Sequence, residues 1–168
     1  MLPPINFKSW IEENRHLLKP PVGNKVVYEN TEFIIMVVGG PNTRKDYHID
    51  EGEEFFYQLE GNMILRIMEN GIPKDVGINE GDIFLLPPKV PHSPQRFENT
   101  VGLVIERKRR DGELDGFQWY CDACSSLLYE VFFTLTDIVK QLPPIFDEFW
   151  ANNEARTCKS CSTYLEKP

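Results

Sequence analysis

The feature that most constrains the fold is a long succession of short apolar segments, divided by turn residues, between Lys25 and Arg107. We interpret six of these segments as strands, at residues 26–28, 33–38, 54–59, 63–68, 82–86 and 102–107. Clusters of glycine, asparagine and proline, such as those at residues 39–42 and 70–71, separate them. Many short strands with regularly spaced turns predict a mainly β protein, either a sandwich or a barrel.

Different patterns flank this β region. Residues 7–18 are typical of a short helix whose apolar side carries Trp10, Ile11 and Leu17. The segment Lys19-Pro20-Pro21 is expected to end that helix, because proline cannot continue one.

The pattern changes again beyond Arg110. An aromatic run at 117–121 and a strand-like run at 127–135 precede two expected helices, at 136–141 and 144–152. The second helix carries aromatic residues at helical spacing, which predicts packing against the main domain. We therefore divide the chain into a barrel at residues 1–113 and a small helical C-terminal extension at residues 114–168.

Charge and hydropathy narrow the range of partners. The formal net charge of −8 argues against nucleic acid, whose phosphates need a surplus of lysine and arginine. A small anion remains possible, because one or two well-placed arginines can bind it. The longest apolar stretches, at 33–38 and 83–86, fall far short of the roughly 20 residues that cross a membrane. The first eight residues do not resemble a signal peptide, which favours the cytoplasm.

Three residues of the β region are candidate metal ligands, namely His48, Glu54 and His92. Two imidazoles and one carboxylate form the facial arrangement that holds iron(II). This arrangement leaves three positions open, enough for a bidentate substrate together with O₂. The spacing alone leaves a structural or solvated role for each residue equally open, and it does not distinguish iron from manganese, nickel or zinc.

The four cysteines form two C-x-x-C pairs, Cys121/Cys124 and Cys158/Cys161. In a chain without an export signal, such pairs indicate metal ligands rather than disulfides, with a redox dithiol as the alternative. Four thiolates are the tetrahedral set that zinc or a single iron prefers. Because four protein ligands leave no open position, we expect a structural site that pins the C-terminal extension onto the barrel.

The segments around the three candidate ligands resemble the two sequence motifs of the cupin superfamily. The spacing from Glu54 to Gly61 matches the first motif, and a glycine-to-proline spacing matches the second. The usual H-x-H pair is reduced to His48, with Asp46 two positions before it, and Arg96 replaces the final asparagine. The resemblance implies a cupin barrel, a double-stranded β-helix or jelly roll. The loss of one of the four usual ligands implies a three-ligand centre that suits iron.

A closer resemblance extends over nearly the whole chain. Similarity to the 3-hydroxyanthranilate 3,4-dioxygenase family is carried by residues 17–24, 37–42, 53–59, 81–88, 92–96, 104–107 and 119–124. This resemblance implies a non-haem iron(II) enzyme that opens the ring of 3-hydroxyanthranilate with O₂. The product would be 2-amino-3-carboxymuconate semialdehyde, the precursor of quinolinate in tryptophan degradation and NAD synthesis. The resemblance also implies a homodimer and a rubredoxin-like structural metal, iron or zinc, at the four cysteines.

The same resemblance implies a role for individual positions. Iron(II) would be bound by His48, Glu54 and His92. Catalytic contacts to the substrate would come from Arg44, Arg96 and Glu106, and further lining of the pocket from Asn24 and Pro94. The two arginines are expected near the substrate carboxylate and the O₂ site, and which of these Arg44 contacts stays open. Without the resemblance, surface ion pairs would explain the arginines and Glu106.

Two other functions remain open from the residues alone. One is another cupin enzyme, a different small-molecule dioxygenase or an isomerase. The other is a non-enzymatic cupin or zinc-ribbon module that binds a partner molecule.

Overall fold

A computed structural model describes residues 3–20, 23–136 and 138–168. The strands are β1 (Asn24–Val26), β2 (Phe33–Gly39), β3 (Asp46–Ile49), β4 (Glu54–Glu60), β5 (Met63–Glu69), β6 (Ile72–Ile78), β7 (Ile83–Leu86), β8 (His92–Arg96), β9 (Val101–Arg107), β10 (Asp115–Tyr120) and β11 (Leu127–Phe133). The helices are α1 (Phe7–Asn14), followed by a 3-10 turn (Arg15–Leu17), α2 (Ile138–Ala151) and α3 (Asn153–Arg156). None of these helices is long and apolar enough to cross a bilayer.

The strands form two antiparallel sheets. One sheet has the order β1-β2-β9-β4-β7, and the other has the order β11-β10-β3-β8-β5-β6. Most neighbours within a sheet are distant in sequence, as the crossing connections of a jelly roll require. The prediction of a mainly β barrel is thereby confirmed.

The apolar core lies between the two sheets. Phe56 of β4 shares a buried cluster with Met63 and Leu65 of β5, which belongs to the other sheet. Successive side chains of a strand point to opposite faces, so every second residue of β4 is buried. This alternation places Glu54 and Gln58 on the inner face beside Phe56, as two polar side chains within an apolar interior. The polar pair marks the part of the barrel where a ligand site is formed.

The predicted N-terminal helix is present as α1. Asn6 caps it by accepting a hydrogen bond from the Ser9 N–H at 3.0 Å. The regular helix is shorter than the segment 7–18, because its last turn tightens into the 3-10 turn. Ile11 and Leu18 are buried in one cluster with Val37 of β2, which holds the helix against the barrel. Pro21, expected to help end the helix, lies outside the described residues.

The residues beyond 113 continue the six-stranded sheet, which contains β3, β8, β5 and β6. β10 pairs with β3, and β11 pairs with the other side of β10. The first strand of the expected C-terminal extension is therefore also a strand of the barrel sheet.

The expectation of two helices at 136–141 and 144–152 is wrong, because residues 138–151 form one helix, α2. Residue 137 lies outside the described residues. Pro143 and Pro144 lie inside α2, although proline lacks the N–H that an intrahelical bond needs. Aromatic packing offsets this loss, since the ring centroids of Phe149 and Phe146 lie 4.3 and 5.9 Å from that of Trp119 on β10.

Three strands, β3, β6 and β8, had no counterpart among the predicted segments. β3 contains only four residues, and two of them are the polar residues Asp46 and His48. β6 is an exposed edge strand that tolerates Pro73, and β8 contains Pro94 in a mostly polar sequence. These strands are stabilised by pairing with distant segments, which local hydrophobicity does not reveal.

Candidate metal centre

The three predicted metal ligands meet inside the barrel. His48 lies on β3 and His92 on β8, and the two residues are direct partners across these paired strands. Glu54 is the first residue of β4, in the other sheet. One candidate ligand atom from each side chain lies within 4.8 Å of the other two. The fold therefore brings together the group that the sequence predicted.

Each imidazole of this group is held through one ring nitrogen. Nε2 of His48 lies 2.7 Å from Oδ1 of Asp115, and Nδ1 of His92 lies 2.9 Å from the carbonyl oxygen of Val90. A carboxylate and a carbonyl can only accept, so these two nitrogens carry the protons. The lone pair then remains on the other nitrogen of each ring, as a metal ligand requires.

The contact between Glu54 and His92 fits a bound metal. Oε2 of Glu54 lies 2.8 Å from Nε2 of His92, yet it accepts no aligned hydrogen bond. Both residues are buried, so two facing lone pairs would be costly without a cation or a proton between them. Two ligands at about 2.1 Å from one metal and at right angles are about 3 Å apart. The pair therefore has the spacing of two adjacent metal ligands.

Burial and mutual charge set the protonation of the group. Burial lowers the pKa of His48, which keeps its imidazole neutral. Burial acts to raise the pKa of Glu54, but the neighbouring His92 and His48 outweigh it and hold that pKa below its usual value. For His92 burial acts downward, and the adjacent Glu54 carboxylate reverses this and raises the pKa. The raised pKa means that His92 holds a second ring proton, on Nε2, more tightly. A metal would compete with this proton for Nε2, since a ligating imidazole is neutral.

A cavity of about 210 Å³ is lined by these three ligands. The five residues expected to surround the substrate also line it: Asn24, Arg44, Pro94, Arg96 and Glu106. Apolar side chains complete much of the wall: Met36, Val38, Phe56, Val104, Phe117, Leu135 and Leu142. A small apolar cavity with a few convergent polar groups is typical of a small-molecule site.

Arg96 is a buried cation that forms no direct ion pair within the described residues, although the charge of Glu54 acts on it from further away. It is 3% exposed, its Nε has no hydrogen-bond partner, and its Nη1 donates to Oε1 of Gln58 at 3.3 Å. Burial lowers the pKa of Arg96 to about 10, so the guanidinium is still charged at neutral pH. A buried charge without a counter-ion costs several kcal/mol, roughly. This geometry indicates a place for an anionic group of a ligand.

Arg44 and Glu106 differ from Arg96 in their partners. The side chain of Arg44 is 31% exposed and is paired with Asp46, its Nε lying 3.1 Å from Oδ2. Glu106 is buried on β9, directly across from Glu54 on β4. Burial raises the pKa of Glu106 to about 7, and the nearby Glu54 carboxylate adds to this effect against the charge of Arg109.

Two charged residues of the cavity, Arg109 and Asp115, were absent from the sequence-based set. Asp115 contacts His48, and Arg109 donates to both carboxylate oxygens of Asp115. Burial acts to raise the pKa of Asp115, but the hydrogen bonds from His48 and Arg109 outweigh it and lower that pKa, so the group is a carboxylate. No local sequence motif connects Arg109 and Asp115 to the candidate ligands, because Asp115 lies 67 positions from His48 in sequence.

Comparison with known proteins identifies the family. The family model described as 3-hydroxyanthranilic acid dioxygenase matches residues 1–150. The chain belongs to the 3-hydroxyanthranilic acid dioxygenase family.

Curated relatives of the family cover almost the whole chain. The 3-hydroxyanthranilate 3,4-dioxygenase of Xanthomonas euvesicatoria pv. vesicatoria (strain 85-10) is 56% identical over 161 residues, 96% of this chain and 91% of the relative. That of Jannaschia sp. (strain CCS1) is 57% identical over 158 residues, 94% of this chain and 88% of the relative. Among solved structures, protein NMB1881 from Neisseria meningitidis has a TM-score of 0.50 and 18% identity over 63% of this chain and all of its own. This last likeness concerns the fold alone, and it agrees with the predicted β barrel of two antiparallel sheets.

A second candidate metal group lies in the C-terminal part of the chain, and its second pair of cysteines falls beyond the residues that the family model matches. The sulfur atoms of Cys121, Cys124, Cys158 and Cys161 lie within 4.8 Å of one another, and none forms a disulfide. The sulfur of Cys121 is 3.5 Å from that of Cys161, and the sulfur of Cys124 is 3.5 Å from that of Cys158. Four sulfurs at about 2.3 Å from one metal would be about 3.8 Å apart, so the cluster fits a tetrahedral ion.

The two cysteine loops have the same backbone geometry. In each, the amide of the first cysteine donates to the residue five positions later, and that cysteine's carbonyl accepts from the amide four positions later. Ser125 and Ser162 occupy equivalent places with positive φ of 59° and 63°. Hydrogen bonding of Cys124 with the side chain and the backbone of Ser126 lowers the pKa of Cys124 to about 6, whereas burial raises that of Cys121 to about 11. The repeated loops therefore present four thiol groups to one point.

Proposed function

We propose that this protein is a non-haem iron(II) dioxygenase that opens the ring of 3-hydroxyanthranilate, giving 2-amino-3-carboxymuconate semialdehyde. The observation that carries the proposal is the unpaired buried Arg96 in the same small cavity as a two-histidine, one-carboxylate group. The substrate combines a carboxylate with neighbouring amino and hydroxyl groups on one planar ring. Arg96 would match the carboxylate of this substrate. The two-histidine, one-carboxylate group in the same cavity would match its amino and hydroxyl groups.

Arg96 is proposed to bind the substrate carboxylate. Its Nε has no hydrogen-bond partner in the part of the chain that the structure describes, and an arginine side chain presents planar donors that suit a carboxylate. The pairing would supply the counter-ion that Arg96 lacks among the described residues and would fix the ring in one orientation. Apolar residues such as Val38, Phe56 and Pro94 would pack on the ring and exclude water.

The metal group is proposed to face the amino and hydroxyl groups of the ring. Iron(II) held by His48, Glu54 and His92 would supply electron transfer between the ring and O₂. Glu106 lies across from Glu54 and would accept a hydrogen bond from the substrate. Arg44 lines the cavity while held by Asp46, so it would support either the carboxylate or the O₂ position. The reaction breaks one ring carbon–carbon bond and places both oxygen atoms of O₂ in the product.

Turnover of the purified, iron-loaded protein tests this proposal. With 3-hydroxyanthranilate and O₂, we expect a near-ultraviolet product absorbance and consumption of one O₂ for each substrate. The same protein without 3-hydroxyanthranilate should consume no O₂. Absence of product from protein shown to contain iron in the barrel would favour another cupin activity, such as an isomerase, or a non-enzymatic role.

The remaining parts of the assignment are proposals that rest on the sequence. We infer a structural iron or zinc at the four cysteines, which elemental analysis of the purified protein would identify. A homodimer in the cytoplasm is expected from the family resemblance, and sedimentation analysis tests the dimer. The division at residue 113 likewise remains a proposal about how the chain is organised.

A further inference from the structure

A buried ion network adjoins the candidate metal centre on the side of His48. Arg109 forms its middle, with a side chain that is 8% exposed. The guanidinium donates to both carboxylate oxygens of Asp115, from Nε at 2.8 Å and from Nη2 at 2.6 Å. Asp115 is fully buried and contacts Nε2 of His48 at 2.7 Å. Arg109 therefore contacts Asp115, and Asp115 in turn contacts the imidazole of the candidate ligand His48.

The same guanidinium reaches two further carboxylates. Nη1 of Arg109 lies 3.1 Å from Oε2 of Glu106, and Nη2 lies 3.3 Å from Oδ2 of Asp50. Asp50 is itself fixed, because its Oδ1 accepts from the Gly52 N–H at 2.9 Å. Arg109 therefore ties one side of the metal group to the residue proposed to contact the substrate.

The backbone pairing of β3 does not by itself orient the side chain of His48. All four residues of β3 pair with β10, and β8 pairs with β3 at the position His48–His92. An imidazole on such a strand can still rotate about its side-chain bonds. A charge-assisted hydrogen bond to a carboxylate that cannot move removes this freedom and favours one tautomer.

We propose that Asp115, locked by the two hydrogen bonds from Arg109, is a positioning residue that fixes the imidazole of His48 for metal binding. This deepens the proposed function and rests on it only for the identity of the metal. Arg109 acts one step further from the metal by holding Asp115. Asp115 lies on β10 and Arg109 in the loop before it, both beyond the two cupin motifs, so the ligand set of the barrel would depend on residues outside those motifs.

Metal affinity of the Asp115→Asn protein tests the inference. We expect its dissociation constant for Fe(II), measured anaerobically against a competing chelator, to rise by about 10- to 100-fold. The absorption bands of the Co(II)-loaded barrel should also change, because the orientation of one ligand changes. Thiolate-to-metal absorption reports the cysteine site separately, so the two sites can be fitted independently.

The matched control is Asp75→Asn. Asp75 also forms an ion pair with an arginine, Arg66, at 3.2 Å, but both side chains are about half exposed and lie away from the cavity. This variant should bind Fe(II) as the wild type does. A purely structural role for Asp115 would lower thermal stability without changing the Fe(II) affinity of the folded protein.

A second variant keeps the test valid if the first folds poorly. Asp115→Asn alone leaves Arg109 with less compensating charge in a buried place, which destabilises a fold. The double variant Asp115→Asn/Arg109→Gln removes both charges and keeps neutral hydrogen-bonding groups. It should fold and still bind Fe(II) at least about 10-fold more weakly than the wild type.

Unchanged affinity would overturn the inference. If the folded double variant bound Fe(II) within about threefold of the wild type, with the same Co(II) spectrum, Asp115 would not position His48. These measurements contain no substrate. Failure of the proposed function would instead appear as wild-type protein that binds Fe(II) and yet does not cleave 3-hydroxyanthranilate.

Discussion

Removal of the Arg96 charge is the sharpest test of how the substrate is held. Arg96 is buried, and among the described residues its Nε has no partner and its one acceptor is the neutral amide oxygen of Gln58 at 3.3 Å. A hydrogen bond between charged groups contributes about 1.5–3 kcal/mol. At about 1.4 kcal/mol for each factor of ten, Arg96→Ala should weaken binding of 3-hydroxyanthranilate by roughly 10- to 150-fold.

A comparison of two ligands isolates the contribution of the Arg96–carboxylate contact to the binding free energy. 2-Aminophenol keeps the amino and hydroxyl groups but lacks the carboxylate, so it should bind the wild type weakly and Arg96→Ala about equally weakly. Arg96→Lys should recover only part of the affinity for 3-hydroxyanthranilate, because a point charge cannot reproduce the planar donors. Anaerobic titration of each ligand into the wild type and into Arg96→Ala gives four affinities. These four values form a double-mutant-type cycle that yields the Arg96–carboxylate interaction energy.

The protein itself should tolerate the loss of this charge. Replacing a buried charge with an apolar side chain of similar length is often neutral or stabilising. We therefore expect Arg96→Met to melt no lower than the wild type while losing affinity for the carboxylate. The reasoning fails if Arg96→Ala weakens 2-aminophenol as much as 3-hydroxyanthranilate, since Arg96 would then shape the cavity or the metal site.

Three further predictions address the metals and the core. Glu54→Ala should lose activity and barrel iron, measured by turnover and elemental analysis, while circular dichroism shows the fold retained; normal turnover with iron bound would contradict the ligand assignment. Cys158→Ser should lower the melting temperature and the metal content of the cysteine site, because structural metal binding contributes to folding. Ser160→Ala in the same loop is its control, and an unchanged melting temperature in Cys158→Ser would argue against a structural site. Phe149→Ala should cost about 3–5 kcal/mol in urea unfolding, because Phe149 is fully buried on Trp119; a loss below about 1 kcal/mol would show that α2 is not held by this contact.

The two candidate ligand groups could be picked out because their spacing is visible in the sequence, and the structure brings the members of each group together. The cysteine pairs repeat one short pattern, and the structure gives both loops one geometry. The three barrel ligands are linked to two motifs with nearly fixed internal distances. Glu54 could also be placed on an inner face from the alternation of β4 alone, since strand residues two positions apart point the same way.

The partners of the ligands could not be predicted in this way. Asp115 reaches His48 only because β10 pairs with β3, and that pairing joins segments about 70 residues apart. β3 itself has too few apolar residues to stand out. The single helix α2 was missed because Pro143 and Pro144 predict a break in the helix. In the structure, aromatic packing on Trp119 outweighs this local effect of proline.

β10 connects the two candidate metal groups, and its pairing determines how strongly they should depend on each other. Asp115 is its first residue, and Cys121 immediately follows its last. The register with β3 runs from Gly116 to Trp119, and the pairing with β11 begins at Asp115 itself. Asp115 is therefore held by its own pairing with β11, by the β3 ladder that starts at the next residue and by Arg109, whereas the cysteine group adjoins only the far end of β10. Loss of the cysteine metal should consequently loosen the C-terminal residues and leave the partner of His48 in place, so Cys158→Ser should keep barrel Fe(II) affinity within about threefold of the wild type. A parallel loss of both metals would mean that β10 transmits disorder along its whole length and that the chain does not divide functionally at residue 113.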